Sequence, residues 1–429
     1  MRRGTIILWT LVLILRGTAA RGESSAEVMA WKACVQEAKR YNPDLVSAME
    51  VIAQSKANRS IKASPLFPQV NASMDDGREG GSGLDTTNAH SMQLSGKQLF
   101  FDGFKTVFSV ERAGNEITAA RYSYVVTSSQ VRLSLRNAFA DLLSAQELLN
   151  ITRDIEQRRR QNADLVRLRY EAGREHRGSL LLAQADLAQA EYDVEQAERA
   201  ILLGQRRLSK VMGRTHLIPV IAEGTFDVVD RVSARPDFEN VADTNPFLQK
   251  LIALTDAARY GLKSAKADFF PQVFGNIQAG KVAVDNWPPN KNEWSLGLNV
   301  SYPLFTGRNR ISEVYRTRAV LNQAVADEKS GRDGVILTLE KTWTDLQDAL
   351  EQVGVQQKYL VAGEERAKIS RAEYQIGLVL FDDWTIIEDA LVRAKKAFLV
   401  VEAASLVAEA NWVQAHGGTL ESEPVSPRP

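Results

Sequence analysis

The chain repeats itself. Asn42-Pro43-Asp44-Leu45 returns as Asn245-Pro246-Phe247-Leu248, and Phe67-Pro68-Gln69-Val70 returns as Phe270-Pro271-Gln272-Val273, both at an offset of 203. Leu99-Phe100-Phe101-Asp102-Gly103 answers to Leu304-Phe305-Thr306-Gly307, and Tyr170-x-x-Gly173 answers to Tyr374-x-x-Gly377 at 204. Landmarks recurring in one order at one spacing are the mark of a tandem duplication, here of about 200 residues. Residues 21–212 form the first repeat and 245–417 the second, with 213–244 as the linker between them. Whatever the fold, one structural unit must be built twice.

Within each repeat the order is helix, two strands, then two long helices. The strand signal is clearest over Trp294–Tyr302, where Trp294, Leu296, Leu298, Val300 and Tyr302 alternate with Ser295, Gly297, Asn299 and Ser301. That is a period of two, with bulky apolar residues on one face and small polar ones on the other. About nine to eleven residues is the length of a membrane-spanning strand. The first-repeat counterpart is His90–Leu99, and Gln69–Asp76 and Gln272–Lys281 are the expected partner strands. Lipid outside and water inside would produce this alternation, and so would a half-buried sheet on a soluble core.

The helices carry a second periodicity. Ala183, Leu187, Ala190, Val194, Ala197, Ile201, Gly204, Leu208 and Val211 follow 4-3 spacing without a break. At an offset of 204 the seam recurs as Ile387, Leu391, Ala394, Phe398, Val401, Ser405, Ala408, Trp412 and Ala415. Sustained heptads predict coiled-coil packing, and small seam residues allow close approach. No proline falls between Gly103 and Gly173 or between Gly307 and Gly377. A helix of some 70 residues would be a rod on the order of 100 Å long.

Residues 1–20 read as a signal peptide: Arg2 and Arg3, a short apolar stretch Ile6–Leu15, then Gly17-Thr18-Ala19-Ala20 for cleavage. Removing them leaves 50 basic against 53 acidic side chains, so nothing points to nucleic acid. Only one cysteine, Cys34, is present, which excludes a disulfide framework or a CxxC site. It lies too far past the apolar stretch for lipid attachment, and small, inert packing is its expected role. The four histidines lie tens of residues apart, and no nucleophile triad, phosphate loop or metal spacing occurs. The sequence thus offers no catalytic residue, cofactor or metal site.

Taken together, the duplicated Asn-Pro-x-Leu, Phe-Pro-Gln-Val, strand-to-helix junctions and Tyr-x-x-Gly motifs resemble the TolC-type outer-membrane efflux proteins, from about Trp31 to Gly417. The junctions are Tyr302-Pro303-Leu304-Phe305-Thr306-Gly307 and Leu99–Gly103, with Gly103, Pro303 and Gly307 as turn residues. The resemblance implies a mainly α fold with β: a trimeric tunnel, its twelve-stranded outer-membrane barrel continued by a periplasmic α-helical barrel. It further implies an exit duct of a tripartite efflux pump or type I secretion system in a Gram-negative outer membrane. Partners would be two further copies, outer-membrane lipid, a periplasmic adaptor and an inner-membrane pump. Strand number agrees independently: four strands cannot close a barrel, which takes about eight, and open edges are not tolerated in lipid.

In that family acidic side chains narrow the periplasmic entrance just after the second Tyr-x-x-Gly. Asp383 matches that position and Asp382 adjoins it. Val379 and Ile386 stand where a basic latch residue and a second acid are expected, and Ser179 takes the latch partner's place. Closure by packing of Tyr374, Phe381 and Trp384 is therefore expected in place of a salt-bridged latch. Asp382 and Asp383 could equally serve as caps of the following helix. Adaptor docking falls, by resemblance, at the tips around Tyr170–Gly178 and Tyr374–Asp383, with Tyr170, Gly173 and Gly377 at the turns. Arg153, Arg158, Arg159, Arg160, Arg167 and Arg169 read as a solvated helix face, and 418–429 as a disordered tail. A periplasmic adaptor or a purely structural coiled coil would show one hairpin or no alternating strands.

Overall fold

The protein is described by a computed structural model covering residues 27–82, 84–216, 218–228 and 235–422. The expected signal peptide lies outside the described residues. The first repeat runs β1 (Glu27–Ala30), α1 (Trp31–Tyr41), α2 (Pro43–Ala63), β2 (Gln69–Gly81), β3 (Leu84–Phe101), α3 (Lys105–Glu171) and α4 (Arg177–Met212). The second runs β4 (Val220–Glu223), α5 (Phe238–Thr244), α6 (Pro246–Ala267), β5 (Gln272–Val284), β6 (Lys291–Ser301), α7 (Asn309–Ile376) and α8 (Phe381–Ala415).

The stretch 213–244 is more than a linker. Its β4 pairs in parallel with β1, Val28 opposite Ile221, and α5 stands where α1 stands in the first repeat. The second copy thus begins earlier than Asn245. Likewise the tail is ordered further than expected. Leu420 is fully buried, its N–H donates to Ser128 Oγ at 3.3 Å, and Tyr124 Oη donates to Glu421 at 3.1 Å.

Four strands form one antiparallel sheet in the order β2-β3-β5-β6, with β2 and β6 as its edges. Trp294, Leu296, Leu298 and Val300 are all at least 60% exposed. Their partners across the ladder are Ala279, Ile277, Gly275 and Val273, so the β5–β6 pair carries an apolar band on one face. The opposite face carries Ser95, Gln93, Asn276 and Gln278.

Each strand pair turns into its rod through two consecutive left-handed residues, Gly103 and Phe104 (φ 68° and 67°) and Gly307 and Arg308 (φ 58° and 67°). Glycine adopts that conformation without steric cost, which explains its recurrence at both junctions. Pro303 lies just past β6, and its carbonyl accepts from Arg310 Nη1 at 3.0 Å. The rods α3 and α7 have 67 and 68 residues, about 100 Å each at 1.5 Å per residue.

Their companions are about half as long and stop where the 4-3 seams stop, near Val211 and Ala415: α4 and α8 have 36 and 35 residues. Each rod is completed by a second helix stacked head to tail. Asn42 caps α2 by accepting from the N–H groups of Asp44 and Leu45, while its Nδ2 donates to the carbonyl of Val211 at the end of α4. Asn245 does the same for α6 and α8, donating to Ala415 O at 2.8 Å and accepting from Phe247 N at 2.9 Å. The negative end of one helix dipole thus meets the positive end of the next.

The heptad seam holds. Ala183, Ala190, Ala197, Gly204 and Leu208 are buried in α4, and Leu391, Ser405, Ala408, Trp412 and Ala415 in α8. A Cβ at Gly204 would come within 3.2 Å of the Leu142 backbone, so a larger residue there would push α3 and α4 apart by a few tenths of an ångström. The main core gathers at mid-length, where Phe139, Leu135, Leu142, Leu208, Leu339, Leu346 and Leu406 pack beneath β1, β4 and α5. Cys34 is fully buried in it, and burial, with Glu37 adding to it, pushes its thiol up to about 12.

Candidate functional site

At the far end from the sheet, the two hairpins finish in turns at Gly173 and Gly377, with φ of 68° and 83°. Tyr170 and these two glycines therefore sit at the tips. The two repeats have diverged here. Tyr170 is 39% exposed, whereas Tyr374 is fully buried.

Tyr374 stacks on Trp384 with ring centroids 4.2 Å apart and planes within 12°. Phe381 meets both rings at 6.3 Å. The three aromatics of the motif pack on one another and are buried in this chain. They are enclosed by Ala163 and Val166 of α3 and Ala183 of α4, with Val379 packed at the edge. They form the core of the tip, tying α7 and α8 to the α3/α4 hairpin. Offset aromatic pairs contribute about 0.5–1.5 kcal/mol beyond their burial.

Arg169 closes the cluster from outside. Its Nη1 donates to the Tyr374 carbonyl at 2.6 Å and its guanidinium lies 4.6 Å from the ring centroid. Tyr374 Oη donates to Glu175 at 3.0 Å, and Glu175 also accepts from Ser179 Oγ at 2.9 Å. Burial, then the Glu175 contact, pushes the Tyr374 phenol well above its ordinary value. The position of Val379 holds no cation, but Arg169 brings one from the opposite hairpin.

Asp382 and Asp383 occupy the first turn of α8 and are exposed. The cap residue is Leu380, which makes no side-chain cap bond. The two carboxylates favour the helix dipole without capping it. Around them Ile376, Leu378, Leu380 and Ile386 are also largely exposed, an apolar margin at the tip.

The expected solvated arginine face is only partly that. Arg160 and Arg153 pair with surface acids. Arg159 is 11% exposed and joins three helices, reaching Asp186 of α4 at 3.3 Å and Asp389 of α8. Burial and the nearby Asp389 raise the Asp186 carboxyl despite the pull of Arg159. Further up, Lys395 bonds Asp154 at 2.5 Å and Lys396 bonds Asp193 at 2.6 Å. Residue spacing gave no means to distinguish Arg159 from its neighbours. The opposed charges Arg169-Tyr170 and Glu373-Tyr374 in the two motifs were the one available hint of divergence.

An apolar-faced strand quartet with open edges, carried on two rods that end in an acidic tip, defines a subunit of a membrane channel. The chain belongs to the outer membrane efflux protein family, whose model matches residues 34–214 and 239–418. The family places it in the Gram-negative outer membrane, as an efflux channel. It is 20% identical to the outer membrane efflux protein BepC of Brucella suis, over 92% of this chain and 88% of that one. Identity to the cation efflux system protein CusC of Escherichia coli O157:H7 is 22%, covering 90% and 85%. Among solved structures, the outer membrane protein VceC of Vibrio cholerae matches with a TM-score of 0.78 at 18% identity, covering 90% and 96%. The Campylobacter jejuni CmeC channel gives 0.80 at 14%, covering 99% and 95%. The probable outer membrane lipoprotein SilC of Salmonella typhimurium is 24% identical. Here the single cysteine, Cys34, is free and buried in α1.

Proposed function

We propose that three copies pool their sheets into a closed twelve-stranded barrel, continued by a periplasmic helical tunnel. The tunnel is a passive exit duct fed by a periplasmic adaptor and an inner-membrane pump. The observation that carries this reading is the sheet itself. It presents Trp294, Leu296, Leu298 and Val300 outward, yet leaves β2 and β6 with unpaired edges. In hydrocarbon each unpaired backbone group costs several kcal/mol, so the edges must meet other copies.

The duplication supplies the register of that meeting. Gln69 pairs with Lys97 in the first repeat and Gln272 with Ser301 in the second, so β2 maps on β5 at 203 and β3 on β6 at 204. The pairing of Lys97 with Asn276 inside one chain then recurs as Ser301 opposite Ser73 of a second copy. A Ser73→Cys/Ser301→Cys chain should form covalent dimers and trimers on mild oxidation, in outer-membrane fractions. Cys34, fully buried, does not compete. Monomers only, or release of soluble protein by osmotic shock, would overturn the assembly.

In the assembled duct Asp382 and Asp383 of the copies converge on the axis at the periplasmic entrance. The turns at Tyr170–Gly178 and Tyr374–Asp383 face the adaptor, and their exposed Leu378 and Leu380 give it an apolar edge to grip.

A further inference from the structure

Where α3, α4 and α8 meet, about one turn above the exposed aspartates, the packing encloses a small polar pocket. Arg159, Asn162, Asp186, Trp384, Thr385 and Glu388 line it, beside the apolar Ala183 and Phe381. Asn162, Trp384 and Glu388 are only 6%, 1% and 4% exposed. Even so, Asn162 Oδ1 and Trp384 Nε1 have no hydrogen-bond partner in the chain. Buried polar atoms of native proteins are nearly always paired, with protein or with ordered water.

The indole cannot turn away. The Trp384 ring is clamped in its stack on Tyr374, which fixes the direction of its indole N–H. Arg159, the nearest strong donor, is engaged by Asp186 and Asp389. An indole donor, an amide acceptor and the Glu388 carboxylate thus share one space.

The occupant must both accept and donate. A bare cation is opposed by the indole N–H, and an anion by the Asn162 oxygen and the Glu388 carboxylate. Size narrows the choice further. The pocket leaves about 10 Å³ for the centre of a water-sized molecule, close to the roughly 10–15 Å³ that one water requires. A hydrated ion or an organic molecule does not fit.

We propose that a single internal water occupies this pocket, accepting from Trp384 Nε1 and donating to Asn162 Oδ1 and the Glu388 carboxylate. It ties α3 to α8 across this contact. A water-bridged bond is nearly as good enthalpically as a direct one and can exchange partners. The site is independent of the channel reading, since it is built within one chain.

Hydroxyl-radical footprinting by X-ray radiolysis of the full chain in detergent tests it, because radicals form on bound water in place. Trp384 should be oxidised several-fold faster than Trp412, which is similarly buried at 4% exposure in the mid-length core. Asn162→Leu, which fills the pocket and removes the acceptor, should bring Trp384 down to the Trp412 level. Equal labelling of the two tryptophans in the wild type, or unchanged Trp384 labelling in Asn162→Leu, would overturn the proposal. Should that variant not fold, a wild-type density map that resolves waters decides. A peak about 3 Å from both Trp384 Nε1 and Asn162 Oδ1 is expected, and a pocket closed by side-chain collapse refutes the site.

Discussion

The two asparagines of the Asn-Pro landmarks show how much one side chain can join. Asn42 and Asn245 each use the amide oxygen as a helix cap and the amide nitrogen as a clasp on the helix stacked below. Proline next to them belongs to the same device, since the first helical position has no N–H bond to lose. Asparagine is the residue that supplies both an acceptor and a donor here. Asn245→Asp keeps the cap, removes the donor and sets a negative charge beside the Ala415 carbonyl. Asn245→Ala removes both functions and should cost about 1–3 kcal/mol, a cap of about 1 plus a buried hydrogen bond of 0.5–1.5. Thermal unfolding should rank wild type above both variants, and hydrogen exchange should rise first at 412–416. An Asn245→Asp protein as stable as wild type would mean that the clasp contributes nothing. The landmarks were legible in the sequence as repeats. Their role was not, because the acceptors lie about 170 residues away.

Elements were legible where a period exists. The alternation of Trp294–Tyr302 and the 4-3 seam located the strands and hairpins, and small residues on the seam are buried as that pattern requires. The seam also marked where α4 and α8 stop, near Val211 and Ala415, but the helices stacked on those ends emerged only in three dimensions. Nor did equal seam positions imply equal burial. Leu391 is 2% exposed while Leu187 is only partly buried, in keeping with α8 packing on both α7 and α3, and α4 chiefly on α3. Leu391→Ala should therefore cost about 2–5 kcal/mol and Leu187→Ala less, in paired denaturation curves. The strap Thr419–Ser422 adds a pH dependence. Burial would raise the Glu421 carboxyl, but hydrogen bonds from Ser128, from backbone, from Thr419 and from Tyr124 outweigh it and hold it below its ordinary value. A lowered carboxyl stabilises the docked strap above its unfolded value, and that contribution is lost as pH falls through the folded one. Protection of 419–422 from hydrogen exchange should fade below about pH 4.5 in wild type. In Glu421→Gln it should be lower at pH 7 and flat across the range. A pH-dependent strap in Glu421→Gln would assign the titration elsewhere.

At the scale of the whole molecule, charge distribution is the quantity that three copies change most. One chain carries Asp382 and Asp383 exposed at the start of α8, where water screens them and no cap bond holds them. In the proposed trimer, three chains around an axis would place six carboxylates about one mouth, a ring of like charge in a narrow passage. Such a ring concentrates cations and excludes anions, as selective pores do. The aromatics beside it do not share that role, since Tyr374, Phe381 and Trp384 are consumed in the tip core. Conductance through the mouth should thus respond to the aspartates, and tip stability to the aromatics. In planar bilayers Asp382→Asn/Asp383→Asn should lose most of its cation selectivity, and block by divalent or trivalent cations from the periplasmic side should weaken. The preference should also shrink with salt in wild type, because exposed charges more than about 8–10 Å apart are screened near physiological ionic strength. Trp384→Phe keeps the aromatic stack but loses the indole N–H, and should leave selectivity intact. If the double asparagine variant conducts with wild-type selectivity and block, the two aspartates serve the α8 dipole alone.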